Sequence, residues 1–265
     1  MSNPLADPNY VREQYRASAN LDARVALHAR FSTAPRDFHA WVFDHFDLPA
    51  DARVLEVGCG TGLLWQKNRA RIPATWRVTL ADFSRGMVET TRATGVAANF
   101  AQADAQALPW RAASFDAVIA NHMLYHVPDQ TRALAEFARV LTPGGKVFAA
   151  TNGASHLREL REWLAGLLGA EATPLLAADP ARNFSLENGA AQLANFFARV
   201  TRFDFADALV VTEVEPLVAY VLSGTMRRAL TDEKQNALRQ AATERIARDG
   251  AFRITKAAGL FVAEK

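Results

Sequence analysis

The chain has 265 residues, is 50% hydrophobic and 22% charged, and carries 30 Lys and Arg against 28 Asp and Glu. This composition predicts a globular α/β domain with a few additions, and the near-balance of charge gives no electrostatic footprint for nucleic acid or an anionic membrane. With Cys59 as its one cysteine, it can form no internal disulfide and no Cys-based zinc site, and no metal centre is expected. No apolar run approaches the roughly 20 residues that span a bilayer. The first fifteen residues, with Asp7, Arg12 and Glu13, lack the apolar core of a signal peptide, so a cytoplasmic protein is expected.

From Tyr10 to Phe46 the pattern is helical. Leu21, Val25 and His28 share one face; Phe38, Trp41, Val42 and His45 form a second stripe, with Pro35 expected in the first turn of that second helix. The period then shortens. Arg53–Val57 reads as a buried strand ending at Gly58, followed by a helix from Gly62 to Arg71. Strands are predicted at Arg77–Ala81, Val96–Ala101, Phe115–Ala120 and Lys146–Thr151. Ser84 is an N-cap for a helix reaching Thr94, Pro128–Leu141 is a further helix, and Pro143, Gly144 and Gly145 form a tight turn.

Short apolar strands alternating with amphipathic helices indicate βαβ units and a parallel sheet covered on both faces. Beyond Thr151, helices are expected at His156–Leu168, Asn188–Val200 and Glu215–Leu222, with an irregular stretch at Gly169–Asn183. Thr201–Thr212 holds one or two strands, and Thr231 caps a helix to Asp249. Phe252–Thr255 and Leu260–Ala263, joined around Gly259, are expected as a terminal hairpin.

The turn after the first strand contains Gly58, Gly60 and Gly62 with Cys59 between them. Ligands of open α/β sheets sit beyond the carboxyl ends of the strands, and glycine lets a ligand approach the backbone. A dinucleotide fingerprint would need glycine where Leu63 stands, and no Gly-Lys-Ser/Thr follows. Glu56, in the strand just before the turn, would repel a pyrophosphate but can pair with the ammonium of an amino-acid moiety. Asp82 ends the second strand, where a carboxylate can accept two ribose hydroxyls. Phe83 follows and can pack on a base, and Asp104 lies where a carboxylate can meet an exocyclic amine. Taken singly, either aspartate is equally well explained as a cap for a following helix.

The segments Val-Leu-Glu-Val-Gly-Cys-Gly-Thr-Gly (54–62), Leu-Ala-Asp-Phe-Ser (80–84), Ala-Asp-Ala-Gln-Ala-Leu-Pro-Trp (103–110), the run 115–129 and Leu-Thr-Pro-Gly-Gly-Lys (141–146) resemble, in order, those of small-molecule class I S-adenosylmethionine methyltransferases. The resemblance is strong over about Asp51–Thr151. It implies a Rossmann-like fold: a mostly parallel seven-stranded sheet, helices on both faces, and a reversed last strand that would suit Leu260–Ala263. It also implies an N-terminal helical lid and a helical insertion toward the C-terminus. One domain is expected, with 1–50 as lid, 51–151 as cofactor core and 152–265 on the substrate side.

By the same resemblance S-adenosylmethionine is the cofactor and S-adenosylhomocysteine the product. Its site would comprise Glu56, Gly58, Cys59, Gly60, Gly62, Asp82, Phe83, Ser84 and Met87, the Ala103–Asp104–Ala105 segment facing adenine, and Asn121 and His122 near the sulfonium. Tyr15 would close on the methionine end. His122, His126 and Tyr125 are the catalytic candidates, two imidazoles as bases and a phenol to orient an acceptor; packing explains each of them as well. Cys59 owes its place to small size. The expected partner is a small organic acceptor, with neither nucleic acid nor membrane. The competing readings are an S-adenosylmethionine-binding module without catalysis and an NAD(P)-dependent oxidoreductase, which Leu63 and Glu56 disfavour.

Overall fold

The computed structural model describes residues 19–169, 183–224 and 230–265, with 6, 7 and 9 beside them. Tyr10 and Tyr15 lie outside this set. In chain order the elements are α1 (Ala19–Phe31), α2 (Phe38–Asp44), β1 (Arg53–Val57), α3 (Leu63–Lys67), β2 (Arg77–Asp82), α4 (Arg85–Ala93), β3 (Asn99–Gln102), β4 (Phe115–Asn121) and α5 (Gln130–Val140). There follow β5 (Leu141–Asn152), α6 (Arg158–Leu168), α7 (Gly189–Leu193), β6 (Arg199–Val211), α8 (Val214–Leu222), α9 (Asp232–Asp249) and β7 (Phe252–Glu264).

Among the described residues the strands form one seven-stranded sheet in the order β3-β2-β1-β4-β5-β7-β6. The first five run parallel; β7 lies antiparallel to both β5 and β6. This is the Rossmann-like sheet of class I methyltransferases. Successive side chains of a strand point to opposite faces, and the apolar runs use both. Val118 and Ala120 of β4, with Val147 and Ala149 of β5, pack under Leu134 and Phe137 of α5. Ala117, Ile119, Phe148 and Ala150 pack instead with Val42 and Phe43 of α2 and Leu64 and Trp65 of α3. Each central strand is therefore continuously hydrophobic, as a sheet buried on two sides requires.

Strands β6 and β7 pair along their full lengths, from Arg199↔Glu264 to Val211↔Phe252. Strand β5 reaches only as far as Asn152↔Ala258, so Phe252–Ala257 and its β6 partners continue as a two-stranded ribbon past the carboxyl end of β5. A separate core forms on this ribbon: Leu209 and Ile254 pack with Leu27 and Phe31 of α1, Leu160 and Leu164 of α6, and Leu217 and Val221 of α8. Helix α1 is tied on by the bridge Ser32↔Leu209.

Several expectations are corrected. The terminal hairpin is one continuous strand: Gly259 makes no turn, because it lies where a Cβ would stand 2.5 Å from the Phe203 carbonyl oxygen. Thr201–Thr212 belongs to a single strand, and the helix expected over Asn188–Val200 ends at Leu193. Pro35 precedes α2 rather than opening it; the cap is Asp37, whose carboxylate accepts from His39 N and Ala40 N. Pro143–Gly145 bulges within β5, where the register moves from Phe115↔Leu141 to Ala117↔Lys146. Ser84 and Thr231 cap their helices as expected, accepting from Met87 N and Lys234 N.

Candidate active site

After β3 the chain returns to place β4 on the other side of β1, so strand order reverses between β1 and β4. Such a reversal opens a crevice at the carboxyl ends of the strands. A cavity of about 770 Å³ lies there, walled by the β1 turn, the ends of β2 and β4, helices α1 and α6, and the β6–β7 ribbon. Its volume falls in the usual range for small-molecule sites.

The β1 turn is built by its own hydrogen bonds. Gly58 N and Cys59 N both donate to Ala81 O at 2.8 and 3.0 Å, and Gly60 N donates to Asp82 Oδ2 at 2.9 Å. Gly58, Gly60 and Gly62 have φ of +75°, +54° and +75°, a region that side chains with a Cβ rarely enter. A Cβ on Gly58 would stand 2.7 Å from Met123 Cβ, and one on Gly62 2.7 Å from Thr91 Cγ2. For these two, the protein's own packing requires glycine, independently of any ligand.

Two buried carboxylates flank the turn. Glu56, only 2% exposed, accepts from Trp65 Nε1 at 2.6 Å and from Asn121 Nδ2 at 3.3 Å. Burial pushes its pKa up to about 8 against the downward pull of those two donors. Asp82 accepts from Gly60 N and Ser84 N, and burial raises its pKa as well. Among the described residues no basic side chain pairs with either carboxylate. Asn121 Oδ1 is also buried without a partner among these residues. Buried groups of this kind are costly unless something binds them. Burial, and then the charges of Glu56 and Asp82, push the Cys59 thiol well above its ordinary pKa, so it stays protonated and is no nucleophile.

The chain leaves β4 through His122, whose φ of +52° is unusual for a residue with a Cβ. Its N–H donates to Ala150 O at 2.9 Å, and its ring packs 5.1 Å from Phe38 and 6.5 Å from Tyr125. Burial first, then the charges of His39, His28, Lys256 and His126, hold its pKa down to about 3, so the ring is neutral near pH 7. The rings of Tyr125 and His126 lie 4.6 Å apart, tilted by 60°, in the short turn that follows.

The cavity brings together Glu56, Gly58, Cys59, Gly60, Asp82, Phe83, Ala103, Asp104 and Ala105, with Asn121, His122, Tyr125 and His126 along a second edge. Asp104 Oδ1 accepts from Gln106 N and from Gln106 Nε2. Gly62, Ser84 and Met87 are not on its lining; Met87 is fully enclosed behind it, and Tyr15 lies outside the described residues. Three features were not identified in the sequence. Trp65 is the partner of Glu56, Phe38 and Phe205 wall the cavity, and His156, Lys256 and Asp207 line its far side. The one sequence signal for the last group is a lysine interrupting the inward apolar alternation of β7.

The fold is that of class I, S-adenosylmethionine-dependent methyltransferases. Residues 55–149 match the family model described as "Methyltransferase domain". Over 108 residues the chain is 42% identical to the ubiquinone biosynthesis O-methyltransferase of Xanthomonas axonopodis pv. citri, covering 39% of this chain and 44% of that protein. It thus spans less than half the length of that curated relative. The Haemonchus contortus phosphoethanolamine N-methyltransferase 2 structure, bound to phosphomonomethylethanolamine and S-adenosylhomocysteine, superposes with a TM-score of 0.59 and 16% identity, covering 100% of this chain and 60% of that one. The cyclase SpnF superposes as well, with a TM-score of 0.58 and 20% identity over 97% of this chain and 96% of its own. At these identities the structural likeness establishes the fold, and one fold carries more than one reaction.

Proposed function

We propose that this chain transfers a methyl group from S-adenosylmethionine to a small organic acceptor by in-line displacement. The observation that carries the reading is the pair Glu56 and Asp82, two buried carboxylates without a cation on either side of a glycine turn. They suit a ligand with an ammonium group and ribose hydroxyls and oppose one with a diphosphate. The unpartnered Asn121 Oδ1 adds an acceptor beside Glu56.

When bound, S-adenosylmethionine supplies an electrophilic methyl group on a sulfonium. Glu56, deprotonated and oriented by Trp65, takes the ammonium, and Asp82 takes the ribose hydroxyls. Phe83 and the Ala103–Ala105 segment flank the base, with Asp104 as acceptor for its amine. Gly58, Cys59 and Gly60 leave room along the backbone. His122, being neutral, adds no positive charge next to a sulfonium. Alignment and exclusion of water supply most of the rate in such a displacement; Tyr125 and His126 hold the acceptor, and His122 is a weak base for an acceptor that must lose a proton. Of the described residues, 19–50 act as the lid, 51–151 as the cofactor core, and 152–169, 183–224 and 230–265 as the acceptor side.

The test is incubation with methyl-labelled S-adenosylmethionine and a panel of small metabolites. Label appearing in a product, with stoichiometric S-adenosylhomocysteine, supports the proposal. Tight cofactor binding with no transfer across the panel favours the non-catalytic binding module.

A further inference from the structure

The far side of the cavity carries a group of polar side chains that the cofactor reading leaves unused. Asp207 and Lys256 face each other directly in the β6–β7 ribbon register and form an ion pair, their side chains 0% and 9% exposed. Asp207 is fully committed within the protein. Its Oδ1 accepts from Ser32 Oγ, Thr33 N, Ala34 N and Ala208 N at 2.8–3.0 Å, while Oδ2 takes the lysine. Lys256 is not: among the described residues Asp207 is the one hydrogen-bond partner of its ammonium, which has three donors.

Beside Lys256 stand two imidazoles, His28 from α1 and His156 from the turn before α6, with ring centroids 6.1 Å apart. Both line the cavity, and the buried Nδ1 of each has no hydrogen-bond partner among the described residues. Burial, with the Lys256 charge adding to it, keeps both rings neutral, so each presents an N–H donor without needing a proton. Around them the wall is aromatic and aliphatic: Phe38, Phe205, Tyr220, Leu160 and Leu164.

An apolar chamber with an ammonium and two imidazoles at one end recognises one kind of molecule. We propose that the methyl acceptor is an aromatic or otherwise apolar carboxylic acid, its carboxylate held by Lys256, His28 and His156. This rests on the methyltransferase reading and names its substrate class. Two donors of the Lys256 ammonium are left beside Asp207, and with the imidazole N–H groups they suit the two oxygens of a carboxylate. Arg161, which lines the same cavity and whose charge reaches His156, adds the positive charge that the Lys256–Asp207 pair does not. The carboxylate is the handle; the atom to be methylated lies between it and His122, in the same cavity.

The experiment is calorimetric titration in two stages. S-adenosylhomocysteine is titrated first; no binding there would defeat the methyltransferase reading and leave this one to be tested on the free protein. Benzoate and cinnamate are then titrated, with benzamide and cinnamamide as neutral isosteres and phenyl phosphate as the dianion. The carboxylates are expected to saturate and to bind about tenfold or more tightly than the amides, the effect of one charge-assisted hydrogen bond. Lys256→Met is expected to abolish that preference. Because it leaves Asp207 buried without its partner, His28→Phe and His156→Phe are tested beside it. Each should weaken the acids about tenfold, with affinity for S-adenosylhomocysteine unchanged. Equal affinity for acid and amide, or acid affinity unaltered in both histidine variants, would overturn the proposal; tighter binding of phenyl phosphate would replace the carboxylate with a phosphate ester.

Discussion

Trp65 Nε1 donates to Glu56 Oε2 at 2.6 Å, joining helix α3 to the carboxylate that precedes the glycine turn. Both side chains are buried, so the bond sets the carboxylate's orientation where water cannot. Trp65→Phe keeps most of the packing and removes the donor. Leaving one buried partner unsatisfied costs about 1–3 kcal/mol, which urea denaturation of the ligand-free protein should show. Unchanged stability would mean that Glu56 finds another partner in place of the indole.

The raised pKa of Glu56 fixes a direction for pH dependence. Its folded value of about 8 lies above the ordinary 4.5, so between those values the folded state holds a proton that the unfolded chain has released. Stability of the ligand-free protein from this group therefore falls as pH rises through that window and levels off above it. A ligand ammonium favours the ionised carboxylate, so binding near pH 7 releases a proton. Calorimetry in buffers of different ionisation enthalpy should detect the release, and Glu56→Gln should reduce it. Equal release in that variant would assign the proton to another group, with Asp82, also raised by burial, the first to examine.

Gly58→Ala tests why the turn needs glycine. The added methyl meets Met123 Cβ at 2.7 Å on a backbone with φ of +75°, and strain of this kind costs about 1–3 kcal/mol or more. Met123→Gly, which takes away the Cβ itself, removes the clash but not the φ penalty. The double variant should therefore lose less thermal stability than the two single variants together, and strictly additive losses would show the backbone conformation to be the whole cause.

Much of the core was legible because its physics is local. Strands β1, β2, β4 and β5 are apolar on both faces, and a two-sided strand is written as one unbroken run. Ser84 and Thr231 announce their helices because a cap and the N–H it satisfies lie three residues apart. Glu56, Asp82 and the glycines could be read as one constellation because each sits at the end of a recognisable strand. What was not legible depends on distant register. Gly259 looks like a turn in sequence; it is a glycine because β6 brings the Phe203 carbonyl against it. Leu193, Phe196 and Phe197 have helical spacing, yet the chain must extend by Arg199 to pair with Glu264. The pairing of Lys256 with Asp207 exists only once two long strands align, and Trp65 reaches Glu56 only across a folded strand, turn and helix.

The central claim is that S-adenosylmethionine is held between Glu56 and Asp82, and titration of S-adenosylhomocysteine into the wild-type protein and Asp82→Ala tests it most directly. The wild type should bind, and the variant should bind about 30-fold or more weakly, because two ribose hydroxyls and Gly60 N lose their acceptor. No binding by the wild type, or equal affinity in the two proteins, would contradict it.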